Sequence, residues 1–106
     1  MTVHFLHLSG GIQSGRTTLA LDMLEQKMLQ GFNVVYAAAT DEQARWLKKK
    51  TMTDVTCISF GQIRGRLFSP QFAVLDNCGN WEDSELINYL VNRMNIYQFA
   101  QIISIN

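Results

Sequence analysis

Apolar and polar stretches alternate along this chain in the rhythm of strands followed by helices. Val3-His4-Phe5-Leu6-His7-Leu8 reads as a first strand, and Thr17 to Leu24 opens a helix in which Leu19, Leu21, Met23, Leu24, Met28 and Leu29 recur at roughly helical spacing until Gly31 stops it. The next run, Val34-Val35-Tyr36-Ala37-Ala38-Ala39, is continuously apolar, as a strand covered by helices on both faces must be. Thr40-Asp41 then supplies an N-cap for a helix from Glu42 to about Lys50, whose last turn carries three lysines where cations favour the helix dipole. Val55 to Ser59 and Phe72 to Asp76 predict a third and a fourth strand. A helix from Glu82 to about Met94, with Leu86, Ile87, Leu90 and Val91 on one face, leads to a fifth strand from Gln101 to Ile105. Pro70 falls in a loop, where it breaks nothing.

Five buried-type strands joined by helical crossovers predict an α/β domain over 1–106. Its architecture is three-layer, with a mostly parallel five-stranded sheet and helices on both faces. A chain of 106 residues can bury a sizeable core without a disulfide or metal. Nine basic and nine acidic side chains balance, so nothing draws the whole molecule towards nucleic acid or anionic lipid. Cys57 and Cys78 lack metal-site spacing and suit free thiols. No apolar run approaches membrane-spanning length and no signal peptide opens the chain, so the expectation is a cytoplasmic protein with no membrane partner.

The chemistry concentrates between the first strand and the first helix. Gly10-Gly11-Ile12-Gln13-Ser14-Gly15-Arg16-Thr17 fits the phosphate-binding pattern G-x-x-x-x-G-K-[ST], with arginine in place of the lysine. Glycines let successive backbone N–H groups turn inward, so that they and the helix N-terminus cradle an anion. Thr17 is placed to put its hydroxyl on Mg²⁺, and Thr18 either reaches a phosphate oxygen or caps the helix. Arg16 keeps the charge but changes the geometry, since a guanidinium is wide and planar where an ammonium is compact. The alternative is a glycine-rich turn without a ligand.

Phe72-Ala73-Val74-Leu75-Asp76 has the layout of a Walker B strand, whose aspartate holds magnesium through water. The expectation is that this strand lies next to the loop strand. Its bland alternative is a turn-initiating Asp-Asn pair. Asn77 stands where a glutamate base is usual, and an amide can hold a water without taking its proton. Glu82 or Asp83 substitutes for it only if the Gly79-Asn80-Trp81 loop folds back.

These segments together resemble the N-terminal ATPase core of helicases and large phage terminases, in the P-loop NTPase superfamily with its RecA-like core. Ser9 to Ala20 is similar to their first motif, and Val34 to Arg45 to the segment after their second strand that often faces nucleic acid. Ile58 to Arg66 is similar to the stretch before Walker B, and Asp76-Asn77 stands where they carry Asp-Glu. The resemblance implies that Ser104 or Asn106 takes the place of a γ-phosphate sensor. It also implies a Mg²⁺-nucleoside triphosphate, ATP first, as ligand. Helicases add a second core domain with an arginine finger and terminases add a nuclease. Neither pattern is present here, so the expectation is a minimal, degenerate domain encoded by a phage or mobile element, with slow or no hydrolysis. The competing expectations are a pseudo-NTPase scaffold that binds a protein partner or its own copies, and a nucleic-acid-binding accessory protein.

The last of these rests on Arg45 with Lys48-Lys49-Lys50 and on Arg64 with Arg66, which otherwise read as a solvated helix end and a polar loop. Arg64 or Arg66 offers an arginine finger only in a ring or dimer. His4 and His7 fall on opposite faces of one strand and cannot share a metal. Trp46 and Trp81 read most simply as packing residues, with base stacking by Trp81 as the other possibility.

Overall fold

A computed structural model describes residues 2–8, 16–63, 69–76 and 84–105. The elements follow in the order β1 (Thr2–Leu8), α1 (Arg16–Leu29), β2 (Val34–Ala38), α2 (Asp41–Thr51), β3 (Cys57–Ser59), α3 (Phe60–Ile63), β4 (Phe72–Asp76), α4 (Ser84–Met94) and β5 (Phe99–Ile105). The strands form one sheet in the order β1-β5-β4-β2-β3, and every pairing is parallel. Parallel neighbours need a crossover between consecutive strands. The helical segments between the apolar runs supply it.

Alternate strand residues enter two separate apolar clusters. Val35 and Ala37 of β2, Ala73 and Leu75 of β4, and Ala100 and Ile102 of β5 pack with Ile63, Leu90 and Met94. Tyr36, Phe72, Val74, Ile103 and Ile105 pack instead with Ala20, Leu21 and Leu24 of α1, Leu47 of α2 and Val55. Because side chains alternate across a strand, the two sets lie on opposite faces of the sheet. Each valine, leucine, isoleucine, phenylalanine or methionine so buried contributes about 1.5–3 kcal/mol. This explains why β2, β4 and β5 carry no outward polar face along their lengths.

The continuous-apolarity argument does not extend to β1. It stands at the sheet edge, and Phe5 remains 56% exposed and Leu6 39%. The third strand is shorter than the Val55–Ser59 expectation. The Thr53 hydroxyl accepts a hydrogen bond from the Val55 amide at 3.1 Å, turning the chain just before the strand, and the unforeseen α3 begins directly after Ser59. At its other end the fifth strand starts at Phe99, two residues before the expected Gln101. Gly31 ends α1 as anticipated, with a φ of +94° that favours glycine. Thr40 caps α2, its hydroxyl accepting from the Gln43 amide at 3.2 Å.

Candidate functional site at the carboxyl ends of the strands

The order of the strands determines what can meet. From β1 the chain crosses β5 and β4 to reach β2, and after β3 it returns to β4 and then β5. β2 therefore leads through α2 towards one edge, while β4 leads through α4 towards the other. Ligands of open α/β sheets bind outside the carboxyl ends of the strands at such a reversal. Asp76 ends β4 at this point.

The sequence expectation that β4 neighbours the loop strand is corrected by the pairing. β5 lies between them: Leu8 of β1 is opposite Ile105, and Ile105 is opposite Asp76. The final apolar segment inserts between β1 and β4, a lateral order that strand patterns along a chain do not encode. Leu8 and Asp76 thus end at the same level, about 10 Å apart at two inter-strand spacings.

Alternation places Asp76 on the same face as Phe72 and Val74, the face covered by α1. α1 starts at Arg16, after the carboxyl end of β1, and finishes before the amino end of β2, so it runs against the strands. Its N-terminus, with the first-turn residues Arg16, Thr17 and Thr18, lies at the same end and on the same face as Asp76. Thr18 is exposed there. Orphan amide groups and the positive end of the helix dipole make such a terminus favourable for an anion. No acidic residue occupies the first turn to oppose that field.

Asp76 is half-buried, and one of its carboxylate oxygens accepts a hydrogen bond from the hydroxyl of Tyr36. Tyr36 is fully buried, sits opposite Val74 in the β2–β4 register, and reaches diagonally along the same face. Sequence reading missed it. Its only signal was a phenol inside a run of valines and alanines.

Several expected members lie elsewhere. Ser104 is fully buried on the opposite face, since it alternates with Ile103 and Ile105, so it does not join the Asp76 carboxylate. Gly10, Gly11, Ile12, Gln13, Ser14, Gly15, Asn77, Cys78, Trp81, Glu82, Asp83, Arg64, Arg66 and Asn106 fall outside the described residues. Arg45, Lys48, Lys49 and Lys50 are exposed, and the lysine end of α2 precedes β3, which puts it at the amino edge of the sheet, away from Asp76. Trp46, read as a packing residue, lies on the exposed side of α2. It is 59% exposed, with the Lys50 ammonium 4.5 Å from its ring centroid.

Among the described residues no three His, Cys, Asp or Glu side chains form a metal cluster, and no helix is long and apolar enough to cross a membrane. Cys57 is free and half-buried, and burial pushes its thiol pKa up from 9.0. That argues against a reactive thiolate. No protein-family model matches the chain, and no curated protein sequence matches it either.

Proposed function

We propose that this chain is a minimal P-loop NTPase-like domain, RecA-like and three-layered, that binds a Mg²⁺-nucleoside triphosphate such as ATP and hydrolyses it slowly or not at all. The observation that carries this reading is that the α1 N-terminus and Asp76 share one face at the carboxyl end of a parallel sheet. Clusters on both sheet faces support the three-layer arrangement.

The phosphates would lie against the backbone of Gly10 to Gly15 and the first turn of α1, with Arg16 and Thr18 contributing side-chain donors. Thr17 and Asp76 are hard oxygen donors of the kind magnesium takes, and magnesium needs only one or two protein ligands besides phosphate and water. When bound, the ion would neutralise charge on the terminal phosphates. The roughly 10 Å between Leu8 and Asp76 leaves room for Asp76 to act through water. Asn77 can orient a water but cannot accept its proton, which is why turnover is slow in this account.

A scaffold reading, in which a protein partner binds and no nucleotide does, draws on Arg16 and Asn77. Nucleic-acid binding draws less support, because the described basic side chains of α2 lie at the other end of the sheet. Titration of a fluorescent ATP analogue with Mg²⁺ separates the first two. Saturation at micromolar to millimolar ligand supports nucleotide binding, and none at millimolar ATP supports the scaffold.

A further inference from the structure

We infer that Tyr36 is a positioning residue for Asp76, setting the direction in which its carboxylate is presented to the hydrated magnesium of a bound nucleotide. The inference rests on the nucleotide-binding reading and deepens it. Tyr36 is fully buried in the cluster that holds Ala20, Leu21 and Leu24 of α1 and Val74 and Ile103 of the sheet. Its ring is held by that packing, while its hydroxyl donates to the carboxylate of the half-buried Asp76.

A carboxylate at a strand end has rotational freedom that a distant, water-mediated contact to a cation cannot suppress by itself. A hydrogen bond from a rigid donor removes that freedom before the ligand arrives. The donor also comes from β2, the strand across the reversal from β4, so the bond ties together the two strands whose ends define the crevice.

The test compares wild type, Tyr36→Phe, Asp76→Asn and the double variant, titrating a fluorescent ATP analogue over a range of free Mg²⁺ and again in EDTA. Loss of a partner that orients a metal ligand typically weakens the metal 10–100-fold. Tyr36→Phe should raise the Mg²⁺ concentration for half-maximal binding about tenfold, the low end of that range, and leave affinity in EDTA unchanged. In the Asp76→Asn background it should have no further effect. A Tyr36→Phe protein that melts earlier but keeps the wild-type Mg²⁺ midpoint would overturn the positioning role while leaving the nucleotide reading intact. Wild-type binding that ignores Mg²⁺ would overturn both.

A measurement on the wild-type side chain covers the case in which Tyr36→Phe does not fold. The chain has three tyrosines, so fluorotyrosine labelling gives three ¹⁹F resonances, assigned with Tyr89→Phe and Tyr97→Phe. Mg²⁺ with inorganic triphosphate should shift the Tyr36 resonance, and triphosphate alone should shift it less. A Tyr36 resonance unmoved by Mg²⁺ with triphosphate would overturn the inference.

Discussion

Leu8 and Asp76 flank the same residue, Ile105, from opposite sides, although 68 positions separate them along the chain. The end of the loop strand and the carboxylate are thereby held level across a rigid strand. The two strand ends lie about 10 Å apart, the width of two inter-strand spacings.

The two departures at the site should separate in turnover. Arg16→Lys restores a compact cation and should tighten triphosphate binding or raise any hydrolysis, yet Asn77 still leaves the water without a base. Steady-state phosphate release should rank wild type lowest and Arg16→Lys with Asn77→Glu highest. Wild-type turnover at about 1 s⁻¹ or faster, an ordinary enzyme rate, would show that neither residue is debilitating.

The ends of α2 give a stability test independent of ligands. Met52 terminates the helix at φ 53° and ψ 36°, and its side chain is 87% exposed. Met52→Gly relieves the left-handed conformation at little packing cost and should stabilise by about 1 kcal/mol. Thr40→Ala removes the cap on the Gln43 amide and should destabilise by about 1 kcal/mol. Urea unfolding of both variants checks the pair, since opposite signs are expected.

Leu90 is fully buried beneath the sheet in the cluster with Ala73 and Ile102. Leu90→Ala should cost about 2–5 kcal/mol. Leu29, on α1 but 82% exposed, should tolerate the same change within about 0.5 kcal/mol. Equal losses in thermal or urea unfolding would contradict the burial described for α4.

Cys57 predicts an alkaline limit to stability. Burial, the largest cause, raises its pKa above 9.0, with Lys48 opposing and Glu25 adding. Well below 9.0 the thiol is protonated in folded and unfolded chains alike, so it contributes no pH dependence there. Above that, the unfolded chain loses the proton first, and stability falls as pH rises towards the folded pKa. Cys57→Ala should flatten the fall of unfolding free energy with rising pH in the alkaline range relative to wild type.

The sheet was legible because burial on two faces forces uninterrupted apolar runs such as Phe72 to Leu75. Lateral order was not, since an apolar run such as Ile102-Ile103 is equally compatible with a central strand beside β4 or with other neighbours. The edge position of β1 was hidden for a related reason, as Phe5 and Leu6 look buried in sequence but have only β5 beside them. Asp76 could be picked out as a strand-ending carboxylate. Tyr36 could not be joined to it, because their contact depends on the β2–β4 register, which sets Tyr36 opposite Val74.

Magnesium dependence of nucleotide affinity in wild type and Asp76→Ala tests the central claim most directly. Fluorescent ATP titrated in Mg²⁺ and in EDTA should show weaker binding for Asp76→Ala only when Mg²⁺ is present, because its role runs through the metal. Equal weakening in EDTA would contradict the account and leave Asp76 as the buried tyrosine's structural partner.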